Sequence, residues 1–180
     1  MNQGKRFEED LKKSVPDYAL LYRLPDPAQS FSGGKNTRFS RHNPFDFIIF
    51  SPTTRTLYAL EAKTVRGKSI SFERSKDDHA EIHSYQIDGL NEWNVYDGTI
   101  CGFVIEFRVL EKTVFIKIED FNRLLEIIDK KSFNYNDLMK NDIPFYIIGQ
   151  EKKRTRYTYD IDGFLNSIHF EEKEHKKDGK

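Results

Sequence analysis

Two acidic residues lie in stretches of the chain that are otherwise apolar. Asp46 belongs to the run Phe45 to Phe50, and Glu61 belongs to the run Leu57 to Lys63. Both runs predict strands, and the short turn-like segment 51–56 predicts a hairpin that would bring the two carboxylates to one end. An unpaired buried carboxylate either takes up a proton or requires a cation. Two such groups side by side therefore indicate a divalent metal site, and magnesium prefers carboxylate oxygens.

Lys63 adds a cation two residues after Glu61. Because strand side chains alternate between faces, Glu61 and Lys63 share a face about 6–7 Å apart. A lysine beside a metal-bound water can stabilise the attacking hydroxide and the charge that builds on a phosphate, so this set indicates phosphodiester cleavage. A structural salt bridge from Lys63 to Glu61 or Asp46 is the alternative, and it is the commoner case for Glu-x-Lys by itself. The acid one hairpin away favours the metal site.

This arrangement resembles the PD-(D/E)xK nuclease superfamily through Asn43-Pro44-Phe45-Asp46 and Glu61-Ala62-Lys63. Over roughly residues 4–150 the order of motifs is similar to that of the RecU-type Holliday junction resolvases. The further segments that carry this likeness are the opening helix Gly4 to Leu11, Pro25-Asp26-Pro27-Ala28-Gln29, a helix with His83 and Gln86, and Phe103-Val104-Ile105. The resemblance implies an α/β, restriction-endonuclease-like fold with a central mixed β-sheet flanked by helices. It also implies a homodimer, dependence on Mg²⁺ with Mn²⁺ able to substitute, and cleavage of branched DNA.

The resemblance adds two residues to the predicted site. Glu8 would join Asp46 and Glu61 as a metal ligand, although the sequence by itself indicates only an exposed acid on an N-terminal helix. Gln86 falls on the inward stripe of its predicted helix, so its amide must find partners. It would either bond to the backbone or orient the attacking water. The predicted catalytic residues are Asp46, Glu61, Lys63, Gln86 and Glu8.

The segment Ser30 to Asn43 predicts an exposed basic loop that leads into Asp46, because it contains Gly33-Gly34 and no apolar period. It would be the counterpart of the stalk of RecU-type enzymes, and it is shorter and rich in Gly and Ser. This difference keeps a nuclease without junction specificity as an alternative. A solvated connection is the structural alternative for the loop. Its predicted DNA-contacting residues are Lys35, Arg38 and Arg41.

A second basic patch covers 152–156, where four of five residues are cations and Tyr157 and Tyr159 follow. Phosphate contact would explain it, and a solvated charge run is the alternative. The formal net charge is +0, with 29 basic and 29 acidic residues, so DNA binding must depend on local patches. The predicted DNA-contacting residues outside the loop are Arg66, Lys68, Lys152, Lys153, Arg154 and Arg156.

His79 and His83 are spaced i, i+4 and could bind zinc on a helix face. A zinc-protease motif requires Glu directly after the first His, and Ala80 stands there instead. No third ligand is evident in the sequence. Surface histidines, or phosphate contacts beside Gln86, are therefore the favoured interpretation.

The elements that must position these residues follow from the hydrophobic periodicity. We predict helices over 4–14, 77–93, 121–129, 135–140 and 160–168, and strands over 18–24, 45–50, 57–63, 100–109, 114–118 and 143–148. Asp77 or Asp78 would cap the second helix. The two strands that carry Asp46 and Glu61 should be central and buried on both faces, since they are apolar throughout.

The 180 residues predict a single nuclease domain over 1–170 and a charged flexible tail over 171–180. Cys101 is the only cysteine and lies in an apolar run, which favours a buried thiol and the reducing cytoplasm. The first six residues do not have the pattern of a signal peptide. No apolar run approaches the ~20 residues of a membrane span, so we expect no membrane partner.

Three functions are consistent with these patterns. The first is a magnesium-dependent endonuclease that resolves Holliday junctions in recombination and repair. The second is another PD-(D/E)xK nuclease, such as a restriction-like or phage DNA-processing enzyme. The third is a non-catalytic DNA-binding module, against which the intact set Asp46, Glu61 and Lys63 argues.

Overall fold

A six-stranded mixed β-sheet organises the molecule. The structure is a computed structural model that describes residues 2–25, 42–74 and 80–168. The helices are α1 (Gln3–Ser14), α2 (Ser84–Asn94), α3 (Ile118–Ile127), α4 (Tyr135–Lys140) and α5 (161–168). The strands are β1 (Leu20–Arg23), β2 (Phe47–Ser51), β3 (Thr56–Val65), β4 (Ser69–Ser71), β5 (Thr99–Phe107), β6 (Lys112–Lys117), β7 (Ser132–Asn134), β8 (Tyr146–Ile148), β9 (Gln150–Lys153) and β10 (Arg156–Tyr159).

The strands of the main sheet follow the order β1-β2-β3-β5-β6-β8. Only the β3–β5 pair is parallel, and the connection between these two strands contains α2. The other neighbours pair antiparallel. Two small antiparallel pairs, β4 with β7 and β9 with β10, lie outside this sheet.

Helices cover both faces of the sheet because successive strand residues point to opposite sides. One core contains Ala59, Phe103 and Ile105 of the strands, together with apolar residues of α2 and α3. The other contains Leu60 and Val104, together with apolar residues of α1 and α5. The predicted α/β class, with a central mixed sheet flanked by helices as in restriction-endonuclease-like enzymes, is confirmed at the level of class and layers.

The predicted hairpin that joins the two acidic strands is confirmed, with Phe47 opposite Leu60 and Ser51 opposite Thr56. β3 is central, as predicted. The prediction that β2 is buried on both faces is wrong, because β2 is second from the sheet edge and Phe50 is 37% exposed. Asp46 also lies one residue before β2 rather than inside it.

The predicted helix over 77–93 begins later than expected. Within the described part of the prediction, α2 starts at Ser84 with His83 as its N-cap. Ile82 instead forms an isolated bridge with Phe72, and its backbone hydrogen bonds to Ser71 and Glu73 keep it out of the helix. Capping by Asp77 or Asp78 is therefore wrong, since both residues precede the N-cap and lie outside the described ranges.

The remaining boundaries shift by a few residues, except at the C-terminal basic patch. The predicted strand 143–148 shortens to β8, and the predicted strand 100–109 ends at Phe107 before the 3₁₀ turn Arg108–Leu110. The patch 152–156 is part of the β9–β10 hairpin, with Arg154 at φ 54 in its turn. None of the helices in the described ranges has the length and hydrophobicity that a transmembrane segment requires. The predicted tail 171–180 lies outside the described residues.

Candidate active site

Asp46 is fixed at the end of the sheet by its backbone. Its amide donates to the Leu60 carbonyl (3.1 Å) and its carbonyl accepts from the Leu24 amide (2.9 Å), so the residue links β1 to β3. The side-chain Oδ2 accepts from the Ala62 amide at 2.9 Å. Burial, opposed by this hydrogen bond, raises the pKa of Asp46, and the nearby charge of Glu8 raises it further. The carboxylate therefore sits where its negative charge is costly.

Glu61 lies on β3, on the face that packs against α2, and is 4% exposed. Its Oε1 accepts hydrogen bonds from Gln86 Nε2 and from Lys63 Nζ, the latter at 3.0 Å. Burial raises the pKa of Glu61 to about 8, and the charge of Asp46 is the next cause. Sequence reasoning expected the two carboxylates to meet, and the structure brings Asp46 close enough for its charge to oppose the ionisation of Glu61.

Lys63 occupies the position predicted for it, on the same face as Glu61. Its ammonium group is within hydrogen-bond distance of Glu61 Oε1 and its side chain is 17% exposed. Its positive charge lowers the pKa of both Asp46 and Glu61, although less than burial raises them. The single lysine therefore offsets only part of the charge of the carboxylate pair.

Gln86 is buried, as the helical stripe predicts, and it connects α2 to β3. Its Oε1 accepts from the His83 backbone amide at 2.9 Å while its Nε2 donates to Glu61. The predicted backbone hydrogen bond is present, and the contact with Glu61 places the amide within the site; its role in orienting the attacking water stays a prediction. The result is a fixed orientation for the Glu61 carboxylate.

Glu8 reaches the border of the site from α1. Its Oε2 accepts from Nε (2.9 Å) and from an Nη (2.7 Å) of Arg23, the last residue of β1. The Glu8 charge raises the pKa of both Asp46 and Glu61, and the Arg23 charge lowers that of Asp46. Glu8 thus belongs to the same electrostatic cluster, and its role as a metal ligand stays a prediction.

The donor set of this cluster suits one kind of metal better than another. In the described ranges, no three His, Cys, Asp or Glu side chains converge closely enough to hold a metal ion by themselves. Mg²⁺ needs only one or two protein carboxylates and completes its shell with water and phosphate oxygens, whereas structural zinc needs four protein ligands. The predicted zinc site on a helix face is not supported at His83, which is the N-cap of α2 rather than part of the helix, and His79 lies outside the described residues.

The structure brings two of the predicted DNA-contacting residues, Arg66 and Lys152, to one groove. Arg66 and Lys152 line one surface groove of about 490 Å³ together with Arg108 and Tyr157. Arg66 follows Lys63 by three residues, or roughly 10 Å along an extended chain. Lys68, Lys153 and Arg154 are exposed. The predicted contacts Lys35, Arg38 and Arg41 lie outside the described residues.

Arg156 has a structural explanation that the sequence did not indicate. Its guanidinium donates to Asp10 Oδ1 (2.6 Å) and to Glu9 Oε2 (2.8 Å), which ties β10 to α1. Tyr159 is buried, so only Tyr157 of the two tyrosines reaches the surface near the patch. DNA contact by Arg156 stays a prediction.

Sequence reasoning missed Arg23, Glu73 and Tyr85 at this site. Arg23 orients Glu8, and Glu73 accepts from the Ser84 amide at 2.8 Å and lies 2.6 Å from His83 Nδ1. Tyr85 stacks with both His42 and His83 beside the carboxylates. Tyr85 directly precedes the motif residue Gln86, whereas Arg23 and Glu73 lie 15 and 10 residues from their partners Glu8 and His83, so no local pattern indicates them.

Comparisons with known proteins give a sequence relative and several similar solved structures. No protein-family model matches the chain. One of the similar structures is Hjc of Archaeoglobus fulgidus, described as a Holliday junction resolvase from an archaeal hyperthermophile, with a TM-score of 0.44 and 16% identity over 74% of this chain and 90% of that one. At a TM-score below 0.5, this likeness is too loose to identify a fold.

The sequence relative is the SPbeta prophage-derived uncharacterized protein YotM of Bacillus subtilis (strain 168). It is 34% identical over 178 aligned residues, which cover 93% of this chain and 85% of the relative. Identity at this level over most of both lengths indicates common descent and a shared fold. The chain therefore belongs to the family of this prophage-derived protein.

Proposed function

We propose that this protein is a magnesium-dependent, structure-selective DNA endonuclease that resolves four-way (Holliday) junctions in recombination and repair. The observation that supports the proposal best is the carboxylate pair formed by the half-buried Asp46 and the buried Glu61, both of raised pKa, with Lys63 bound to Glu61. A fold that only needed to be stable would not place two acids of raised pKa near each other, one on the central strand β3 and one just before its neighbour β2. Such an arrangement is typical of a site whose missing charge comes from a cation.

The way in which the carboxylates are held supports this interpretation. One oxygen of each is bound by the protein: Asp46 Oδ2 by the Ala62 amide, and Glu61 Oε1 by Gln86 and Lys63. Among the described residues no hydrogen bond is found for Asp46 Oδ1 or Glu61 Oε2. Asp46 and Glu61 would hold Mg²⁺ through these oxygens, and Glu8, which Arg23 holds at the border of the site, would have to move closer to become a third ligand.

When bound, Mg²⁺ supplies Lewis-acid chemistry by lowering the pKa of a water and stabilising charge on a phosphate oxygen. The residues of the chain supply position and charge. Lys63 places an ammonium group where negative charge grows on the phosphate during cleavage, and it can orient the attacking water. Gln86 keeps Glu61 from rotating, and the Ala62 amide does the same for Asp46. These contacts exist before any substrate arrives, so little reorganisation is required at the reacting phosphate.

DNA would reach this site along separate basic patches, because the net charge of the chain is zero. The groove lined by Arg66, Arg108 and Lys152 is one such patch in the described ranges. The loop with Lys35, Arg38 and Arg41 precedes Asp46 in sequence and would be a second. We further propose that the enzyme acts as a homodimer, since two symmetric cuts in a four-way junction need two related sites.

A second candidate is a phage DNA-processing nuclease without junction specificity. The observation that favours it is the prophage-derived origin of the relative, together with the short segment between Gln29 and Asp46. The chemistry at Asp46, Glu61 and Lys63 would be the same in both cases. Only the choice of substrate would differ.

A cleavage assay on matched substrates tests both candidates. The purified protein is given a four-way junction, a linear duplex and single-stranded DNA of the same sequence, with Mg²⁺, Mn²⁺ or a chelator. We expect cleavage with either metal, no cleavage with chelator, and a preference for the junction. Equal cleavage of duplex and junction would support the second candidate. Cleavage in chelator, or none with either metal, would contradict the proposed function.

A further inference from the structure

Three aromatic rings stack beside the carboxylate pair. The rings of His42 and Tyr85 are 4.8 Å apart between centroids at an interplanar angle of 22°, and those of His83 and Tyr85 are 5.3 Å apart at 11°. Tyr85 is 36% exposed and His42 is also exposed. These three residues, here called the aromatic platform, therefore present ring surface to solvent rather than to the core.

The platform is fixed by contacts that also build the active site. Tyr85 directly precedes Gln86, whose amide holds Glu61, and the charges of Glu61 and Asp46 raise the pKa of Tyr85 after the larger effect of its burial. The tyrosine is thus close enough to the carboxylates for their charges to affect its pKa. It lies at the border of the site, where DNA flanking a cleaved phosphate would pass.

Two further contacts hold the outer rings in place. Glu73 Oε1 lies 2.6 Å from His83 Nδ1, and Glu73 Oε2 accepts from the Ser84 amide, which anchors His83 at the start of α2. His42 belongs to the segment before β2, and this segment packs tightly on α2, because a Cβ at Gly89 would come within 2.3 Å of Pro44 Cβ. The platform therefore spans two elements that are docked with little freedom to separate.

A purely structural role for these rings does not explain their position. Stacked rings that only stabilised the fold would contribute most if they were buried, yet the large hydrophobic side chains of this protein's cores are elsewhere. A rigid, exposed aromatic surface beside a phosphodiester site matches the requirement for stacking a nucleic acid base. Bases inside a continuous duplex are covered by their neighbours on both sides, so only an unpaired or displaced base can use such a surface.

We propose that His42, Tyr85 and His83 form a stacking site for an unpaired nucleotide adjacent to the phosphate that the enzyme cleaves. This inference rests on the proposed function and specifies its substrate class: DNA in which a base next to the cut is free of its partner. The platform would favour branched DNA, because the base stack is interrupted at a branch point and a base there can be displaced at lower cost than inside a continuous duplex.

Fluorescence of 2-aminopurine, placed as the unpaired base of a branched DNA, tests the platform in chelator, where no Mg²⁺-dependent cleavage interferes. Binding is compared with a matched duplex for the wild type, Tyr85→Phe, Tyr85→Ala and His42→Ala. Tyr96→Ala is the matched control, since Tyr96 is 64% exposed and lies beyond the other end of α2. Thermal unfolding of each variant confirms that it is folded.

In the wild type, stacking on the platform should quench the fluorescence of the 2-aminopurine. We expect Tyr85→Ala to weaken binding of the branched DNA by about 5- to 150-fold and to abolish this quenching, with little change in the binding of duplex. Tyr85→Phe should keep the affinity for branched DNA and the quenching. His42→Ala should reduce both, as Tyr85→Ala does, and Tyr96→Ala should behave as wild type. The stacking proposal would be overturned, and the nuclease proposal left intact, by either of two results. One is an equal loss of affinity for branched and duplex DNA, and the other is a loss of affinity in Tyr85→Phe as large as in Tyr85→Ala. Absence of any DNA binding by the wild type would overturn the proposed function itself.

Discussion

Glu61 and Glu106 are buried glutamates on neighbouring strands of the same sheet, yet their surroundings differ. They are 4% and 6% exposed, and each interrupts an apolar strand. Glu61 faces α2, whereas Glu106 lies on the opposite face and contacts Tyr159 of β10. A comparison of the two distinguishes the free-energy cost of burying an acid from a catalytic role of the buried acid.

The protein satisfies Glu106 completely. One oxygen accepts from Thr64 Oγ1 at 2.7 Å and the other from Tyr159 Oη at 3.2 Å, while Arg108 Nε lies 3.8 Å from the carboxylate. The donors at Glu61 reach only one of its oxygens, and the nearest other charges include the acids Asp46 and Glu8. A single buried acid is therefore not a functional signal, whereas a buried acid whose ionisation is opposed by neighbouring acids is one.

The largest predicted difference between the two glutamates is catalytic. Glu61→Gln should reduce Mg²⁺-dependent cleavage more than about 10⁴-fold, because several kcal/mol of transition-state stabilisation depend on the metal. Glu106→Gln should leave the rate per folded molecule within a few-fold of wild type. Single-turnover cleavage of a labelled four-way junction measures both. Comparable losses in the two variants would remove the distinction between a functional and a structural acid.

Lys63 pairs with Glu61 and Arg108 with Glu106. Loss of Lys63 should therefore reduce the rate of cleavage more than loss of Arg108. Lys63→Ala should slow the chemical step about 10²–10⁴-fold, the range for the loss of one preorganised catalytic group, with a much smaller change in the Mg²⁺ concentration required. Arg108→Ala serves as the control; because Arg108 also lines the proposed DNA groove, binding should weaken but the chemical step at saturating DNA should be unchanged. If Lys63→Ala unfolds and its folded fraction cleaves normally, then Lys63 is a structural ion pair.

Replacing each glutamate by glutamine should change the stability of the fold in opposite directions in metal-free buffer. Glu106→Gln should lower the free energy of unfolding by about 1–3 kcal/mol, since one hydroxyl donor then faces an amide NH₂. Glu61→Gln should raise the melting temperature near pH 8 by relieving repulsion with Asp46. Thermal unfolding of both variants checks the signs. A destabilised Glu61→Gln would show that the Glu61 charge contributes to folding.

The stability of the metal-free wild type should fall as pH rises from about 4.5 to about 8. Glu61 has a folded pKa of about 8 against an ordinary value of 4.5, so the native state binds the extra proton throughout this window. Its contribution is fully present below pH 4.5 and is lost as the pH passes through 8, at most about 1.4 kcal/mol per pH unit. Denaturant titrations should show a flatter pH profile in Glu61→Gln. An unchanged profile would place the Glu61 pKa near its ordinary value.

The smallest predicted effect concerns DNA binding away from both glutamates. Neutralising Lys35, Arg38 and Arg41 together should lower the log–log salt slope of duplex binding by up to ~0.9 for each phosphate group that the loop no longer neutralises. If the loop corresponds to the stalk, junction binding should fall more than duplex binding. Equal reductions would make the loop a general phosphate clamp, and no reduction would direct attention to Lys152 and its neighbours.

The central part of the fold could be predicted from the sequence because its signal is local. Apolar runs indicated β2, β3, β5 and β6, and the turn between β2 and β3 indicated the hairpin that brings Asp46 to Glu61. The β9–β10 hairpin has no such signal, since three of the four β9 side chains are exposed and charged. The start of α2 depends on the Ile82–Phe72 bridge, which is a tertiary contact that no local pattern reveals.

The candidate site was predictable to the same extent. Glu61 and Lys63 follow from the two-residue period of a strand, and the inward stripe of α2 indicated that Gln86 is buried. The rule that selected Glu61 would also have selected Glu106, and only the structure shows the hydroxyls that satisfy the latter. Arg23 and Glu73 act through side chains that lie far apart in sequence from their partners, so no spacing could identify them.

Binding of Mn²⁺, followed through the electron paramagnetic resonance signal of the free ion, tests the central claim without requiring catalysis. Mn²⁺ takes the oxygen ligands that suit Mg²⁺ and has an observable signal. The wild type and Glu106→Gln should take up the ion at pH 8, and Asp46→Asn should not. Uptake by Asp46→Asn equal to that of the wild type, or no uptake by the wild type, would contradict a metal site at Asp46 and Glu61.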